Sequence, residues 1–197
     1  MTPPDETLSD AYFEDVYRAS ADPWNFETSA YEHAKYARTL AALPRERYAR
    51  ALEVGCSIGV LTGLLAERVD ALLSVDVSEQ ALARARERNR DRRSVTFERR
   101  RLPAEAPDGP FDLIVLSEVG YYFSTRDLEA VLDVLTGRLA PGGDLILVHW
   151  TPFVPDYPQT GDAVHEAALR RTPAPLIHRC GERHGRYRLD VLSKPEA

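Results

Sequence analysis

A chain of 197 residues, 44% hydrophobic and 28% charged, can bury one α/β-sized core, and it has no apolar run of membrane-spanning length. The net charge of −6 argues against a nucleic-acid substrate, which asks for a basic surface. Cys56 and Cys180 are far apart and imply neither a disulfide framework nor a metal site, and the polar, acidic N-terminus carries no secretory signal, so the reading is a cytoplasmic protein.

In chain order, residues 1–8 read as disordered. Ser9-Asp10 caps a short helix with Tyr12, Phe13, Val16 and Tyr17 at helical spacing. A turn over Ala21–Phe26 leads to a second helix, about Ser29–Ala42, which stops before Pro44. Strand and helix then alternate. Strands are expected at Ala51–Val54, Leu72–Asp76, Val95–Arg99, Phe111–Ser117 and Asp144–Trp150. Helices are expected near Gly59–Arg68, from Ser78 to Asn89, over Thr125–Leu139 (ended by Ala140-Pro141-Gly142-Gly143) and near Thr160–Arg171. Two closing strands, Ala174–Cys180 and Arg186–Leu192, are joined by Gly181–Gly185. The division expected is a helical cap over 1–45 and a core over 46–197.

The densest information lies in A-L-E-V-G-C-S-I-G, Ala51–Gly59. A strand ending in Glu53-Val54 runs into a turn with glycines at 55 and 59, and the next strand ends in Asp76. Such a pair of strand ends holds an adenosine group: glycine lets the backbone come close, and the second acid accepts the ribose hydroxyls. A dinucleotide fingerprint needs a middle glycine, absent here, so a nicotinamide cofactor is disfavoured. Glu53 would also be a poor neighbour for pyrophosphate and a good one for a cation.

This stretch resembles motif I of class I S-adenosylmethionine (SAM)-dependent methyltransferases. That resemblance implies a Rossmann-like, seven-stranded, mostly parallel sheet in the order 3-2-1-4-5-7-6, with an N-terminal helical cap. Further phrases narrow it. D-P-W-N-F-E-T-S-A-Y-E-H-A-K-Y (Asp22–Tyr36), G-C-S-I-G-V-L-T (Gly55–Thr62), L-S-E-V-G-Y-Y-F (Leu116–Phe123), L-A-P-G-G (Leu139–Gly143), V-H-W (Val148–Trp150) and Y-P-Q-T-G-D-A-V-H (Tyr157–His165) together resemble the NodS family of N-methyltransferases.

The cofactor set expected is Glu53, Gly55, Cys56, Ser57, Gly59, Asp76 and Val77, with the strand-end residues Ser117, Glu118 and Val119. Relatives carry an acid for adenine where Arg101 stands, so backbone groups of Arg101 and Leu102 take that contact instead. The resemblance implies that Trp24, Tyr31, Lys35 and Tyr36 close over SAM. Tyr31 and Lys35 lie one helical turn apart, so the lysine can pair with the cofactor carboxylate. On the acceptor side stand Glu118, Tyr121, Tyr122, His149 and Trp150, with Tyr157, Asp162 and His165 lining a sugar or amine pocket. His149 or Glu118 is the expected proton acceptor, unless the amine binds neutral and solvent removes its proton. Cys56 has no base partner, so no nucleophilic role is assigned to it.

The function expected is SAM-dependent N-methylation of an amino-sugar-containing small molecule, of aminoglycoside or amino-oligosaccharide type, with S-adenosylhomocysteine as product. The alternative acceptor is a hydroxyl or a non-sugar amine of another natural product. Neither nucleic acid nor membrane is expected as a partner, and the oligomeric state is left open. A non-catalytic SAM-binding module would show the same cofactor motif and differ only in yielding no methylated product.

Overall fold

The computed structural model describes residues 5–172 and 174–196. The chain divides into two compact units, Ser9–Arg101 and Met1–Leu8 with Leu102–Ala197. The first unit contains α1 (Asp10–Ala19), α2 (Ala30–Ala42), β1 (Tyr48–Val54), α3 (Val60–Leu65), β2 (Val69–Asp76), α4 (Glu79–Arg88) and β3 (Val95–Arg99). Its strands run parallel in the order β3-β2-β1. Parallel neighbours need a crossover, and α3 and α4 supply the two. The second unit contains β4 (Phe111–Ser117), a 3-10 turn (Gly120–Tyr122), α5 (Thr125–Arg138), β5 (Leu139–Trp150), α6 (Gly161–Leu169), β6 (Ile177–Arg183) and β7 (Tyr187–Ser193). Here the order is β4-β5-β7-β6, with β4 and β5 parallel and β7 antiparallel to both neighbours.

Hydroxyl side chains start five of the helices. Ser9, Ser29, Ser78, Ser124 and Thr160 each accept a backbone N–H three residues on. The strands of the core are apolar on both faces: Leu113 to Leu116 and Leu145 to Val148 are wholly buried. In the first unit α1 lies on α4 and is tied to it at two places. Glu14, in the middle of α1, accepts the Glu79 N–H, and Arg84 donates to the carbonyls of Tyr17 in the last turn of α1 and of Ser20 and Ala21 beyond it.

Several boundaries differ from the sequence expectation. β1 and β2 each begin three residues early, because Tyr48 and Val69 are buried but are followed by two exposed residues that hide the run. β5 runs through Leu139–Gly143 instead of starting at Asp144; Gly142, at φ +71°, absorbs the kink, and the pairing with β4 slips between Phe111 and Leu113. The closing hairpin turns at 184–186, and Gly181 is a strand residue paired with Asp190. Of the stretch expected to be disordered, residues 1–4 lie outside the described residues. Thr7 and Leu8 are anchored: the Leu8 N–H donates to Tyr122 O (2.9 Å), and the Ser124 N–H donates to Thr7 Oγ1 (2.9 Å).

Candidate functional site

The register of β1 on β2 builds the first half of the site. Glu53 lies opposite Ser74, and Val54 opposite Val75. Beyond Val54 the Gly55 and Cys56 N–H groups both donate to Val75 O, at 2.7 and 3.0 Å, which folds the turn back over the end of β2. Gly55, Ser57 and Gly59 all have positive φ, at +74°, +51° and +77°. At Gly59 a side chain is excluded twice over, since a Cβ would sit 2.7 Å from Asn89 Nδ2 and 2.9 Å from Ala85 Cβ.

Asp76 is the anchor of the turn. Its Oδ2 accepts the Ser57 N–H (2.9 Å) and its Oδ1 the Ser78 N–H (3.0 Å). Burial pushes its carboxyl up, and these backbone N–H groups oppose the rise. A carboxylate has about four acceptor positions, so Asp76 retains acceptor capacity beyond the Ser57, Ser78 and Val77 N–H groups. Glu53 is also buried, and its Oε2 accepts the hydroxyls of Thr62 (2.6 Å) and Ser74 (2.7 Å). Burial dominates and lifts its carboxyl to about 7, with the two hydroxyls pulling the other way. Cys56 is buried, and desolvation pushes its thiol well up, so it is held as an inert thiol. Val77 follows Asp76 and is half-buried.

The aromatic residues of 13–26 pack on this turn. Tyr17 is buried with Ile58 and Ala81, and Phe13, Trp24 and Phe26 lie against them. The Tyr17 hydroxyl donates to Ser57 Oγ at 2.6 Å. Asp22 fixes the approach by accepting the N–H groups of Phe26 and Glu27. The sequence reading missed Tyr17, Thr62 and Ser74. The signal for Ser74 was available: a lone hydroxyl inside the apolar strand L-L-S-V calls for a buried partner.

Lys35 departs from expectation. Its ammonium is buried 2.8 Å from the Glu32 carboxylate and 5.5 Å from the Tyr31 ring centre. Glu32 already matches its charge, so the expected pairing with a cofactor carboxylate is not carried forward. Tyr36 is buried on the same helix. Arg101 pairs with Asp10 at 2.5 Å, and Leu102 is buried in the other unit.

In that other unit, Ser117 and Val119 are half-buried at the end of β4, and Glu118 takes φ +57°. The Glu118 Oε2 accepts the Tyr121 hydroxyl (2.6 Å) and the Trp150 N–H (2.9 Å), which joins the ends of β4 and β5. Tyr121 stacks on Tyr157 (5.1 Å, 14°), and Tyr122 meets both rings edge-on. Burial, then the neighbouring Glu118, pushes the Tyr121 phenol well up, so it stays a hydrogen-bond donor.

Three expectations are corrected here. His149 is wholly buried; its Nε2 accepts the Gly120 N–H (3.0 Å) and its Nδ1 meets His165 Nε2 (3.1 Å). With both ring nitrogens engaged it has no lone pair for an amine proton, so it is not a base. His165 lines no pocket, being wholly buried between His149 and Asp190. The Asp162 carboxylate is bound by Arg183 and lies 3.5 Å from Arg188, which removes it from an acceptor wall.

The family model for "Nodulation protein S (NodS)" matches residues 13–150. The chain belongs to the NodS family. It is 37% identical over 127 residues to nodulation protein S of Bradyrhizobium diazoefficiens, covering 64% of this chain and 61% of that protein. With the Rhizobium tropici protein the figures are 32% over 130 residues, 65% of this chain and 55% of that one. The chain thus spans less than two thirds of these NodS relatives. Among solved structures, a Pseudomonas syringae protein assigned as a methyltransferase is 38% identical, with TM-score 0.74, 84% of this chain and all of that one covered. NodS N-methyltransferase from Bradyrhizobium japonicum, solved with S-adenosylhomocysteine, superposes with TM-score 0.84 at 22% identity over 96% of this chain and all of that one. The fold is the Rossmann-like class I methyltransferase fold.

Proposed function

We propose that this NodS-family chain is a SAM-dependent N-methyltransferase whose acceptor is an amine of an amino-sugar-containing small molecule. The observation that carries the cofactor assignment is Asp76. It is buried, pinned by the N–H groups of Ser57 and Ser78 beside a positive-φ glycine turn, and keeps acceptor capacity for ribose hydroxyls. Glu53, one strand over, supplies the carboxylate that suits a cationic ligand. Cys56, Ser57 and Val77 contribute backbone, and Trp24 a wall resting on Tyr17. The NodS name and the relative solved with S-adenosylhomocysteine support the same reading.

When bound, the cofactor supplies an electrophilic methyl on a sulfonium. The chain's own task is to hold the two reactants in line, and orientation of this kind lowers a barrier by about 7–11 kcal/mol in favourable cases. An amine attacks only when unprotonated, so a proton must leave. Once His149 is excluded, Glu118 is the carboxylate at the end of β4 that receives it, and Tyr121 and Trp150 fix its direction. The rings of Tyr121, Tyr122 and Tyr157 offer a surface for a sugar or an ammonium group.

The test is calorimetry followed by mass spectrometry. Asp76→Ala should weaken S-adenosylhomocysteine roughly 10–100-fold, since hydrogen bonds to a charged group contribute about 1.5–3 kcal/mol. The wild type with SAM should add 14 Da units to amino sugars from a panel of aminoglycosides and chito-oligosaccharide amines, on nitrogen. Methyl found on oxygen would overturn the acceptor assignment. Unchanged affinity in Asp76→Ala would overturn the cofactor assignment.

A further inference from the structure

A chain of buried polar groups crosses the second unit from the closing hairpin to the turn that carries Glu118 and Tyr121. The Gly120 N–H donates to His149 Nε2 (3.0 Å), His149 Nδ1 meets His165 Nε2 (3.1 Å), and His165 Nδ1 meets Asp190 Oδ2 (2.6 Å). Asp190 also takes Arg188 Nε on Oδ2 (2.8 Å) and His178 Nε2 on Oδ1 (2.6 Å). The backbone decides where the ring protons are. A backbone N–H can only donate, so His149 Nε2 must be bare and its proton must lie on Nδ1. That proton points at His165 Nε2, which must then be bare, and the His165 proton lies on Nδ1 toward the Asp190 carboxylate. One arrangement satisfies every group, with both imidazoles neutral and Asp190 ionised.

The surroundings support that charge state. Burial holds the His165 imidazole below its ordinary value despite Asp190. Burial also pushes the Asp190 carboxyl up, but His165, Arg188 and His178 outweigh it and keep it low. Arg188 sits between Asp190 and Asp162, and Arg183 binds the same oxygen of Asp162, Oδ1.

We infer that His165 and Asp190 are positioning residues for methyl transfer: they lock His149 in its Nδ1–H form, and through the Gly120 N–H this sets the Glu118–Tyr122 turn that aims the Glu118 carboxylate and the Tyr121 hydroxyl. The turn has little slack. Glu118 has a left-handed backbone, and a Cβ at Gly120 would lie 2.5 Å from Val164 Cγ1 and 2.9 Å from His149 Nε2. If His149 took the other tautomer, its Nε2–H would oppose the Gly120 N–H and drive the turn outward. The catalytic part of the inference rests on the methyltransferase reading above; the tautomer lock does not.

The experiment uses the full chain with 15N-labelled histidine, and compares wild type, His165→Leu and His165→Gln. The glutamine carbonyl can accept the His149 Nδ1 proton in place of His165 Nε2; leucine cannot. In wild type and His165→Gln, His149 should show the nitrogen signature of the Nδ1–H form and the Gly120 amide should exchange slowly. His165→Leu should lose both. Its acceptor kcat/KM should fall about tenfold or more, because small misplacements of an aimed group are costly, while S-adenosylhomocysteine affinity stays within about twofold, since Asp76 and its turn are untouched. His165→Gln should recover the rate. A wild-type His149 carrying its proton on Nε2, a measurement that needs no variant, would overturn the inference. So would a His165→Leu protein that keeps both the signature and the slow Gly120 exchange. If the wild type methylates no amine, the functional reading fails, and the nitrogen signature and Gly120 exchange still decide the lock.

Discussion

Gly161→Ala should destabilise the protein by about 3 kcal/mol, the upper end for overpacking a rigid site, and lower the melting midpoint by roughly 6–12 °C for a chain of this size. Gly161 is the first residue of α6, directly after the Thr160 cap. A Cβ there would overlap the carbonyl oxygen of Trp150 and stand 3.1 Å from His149 Cβ. Trp150 ends a core strand and His149 is wholly buried, so neither can move aside cheaply. Gly137 supplies the control. It lies near the end of α5, and a Cβ added there would meet nothing within 4 Å, so Gly137→Ala should stabilise by about 0.5–1 kcal/mol. Thermal melts of the two single variants decide the matter. Equal midpoints would show that the α6 start can retreat from β5.

Glu53→Gln should separate stability from ligand binding. The Glu53 carboxyl is raised from 4.5 to about 7 in the folded chain. A raised carboxyl contributes stability that is fully present below the unfolded value, near 4.5, and is lost as pH climbs through the folded value near 7. At about 1.36 kcal/mol per unit, the loss between pH 4.5 and pH 8 approaches 3 kcal/mol. Glutamine keeps an oxygen for the Thr62 and Ser74 hydroxyls and carries no charge. Its variant should therefore match wild type near pH 4.5 and exceed it by about 2–3 kcal/mol at pH 8. Its affinity for S-adenosylhomocysteine should fall, as the functional reading places the ligand's cationic end near Glu53. Denaturant melts at the two pH values give the first result and calorimetry the second. A difference between variant and wild type that does not change with pH would show that Glu53 ionises normally.

These features were unequally legible in the sequence. The Glu53–Gly55–Gly59–Asp76 constellation is local: two strand ends and one turn fix it, and hydrogen bonding follows the register. The helix starts were legible for the same reason, since each cap lies three residues from the N–H it binds. The polar chain from Gly120 to Asp190 was not. Its members stand on a turn, β5, α6 and β7, and none lies within fifteen residues of the next. Sequence spacing alone set His149 and His165 at an acceptor pocket. What distinguishes them is burial with both nitrogens satisfied, which only tertiary packing shows. Asp190, between Leu189 and Val191 in a buried strand, left the same kind of trace as Ser74: a polar residue where the pattern demands an apolar one.

The chain has two tryptophans, and they fall one in each unit. Trp24 is stacked on Phe26 and edge-on to Tyr17, whose hydroxyl holds the glycine turn. Trp150 gives its backbone N–H to Glu118 and has the Arg186 guanidinium over its ring. Replacing either tryptophan with phenylalanine leaves a single emitter. On the methyltransferase reading proposed above, quenching or spectral shift of Trp24 should follow nucleoside loading at the glycine turn, and that of Trp150 acceptor arrival beside Glu118. The two tryptophans would then serve as intrinsic optical probes that time the order in which the substrates bind without any attached dye.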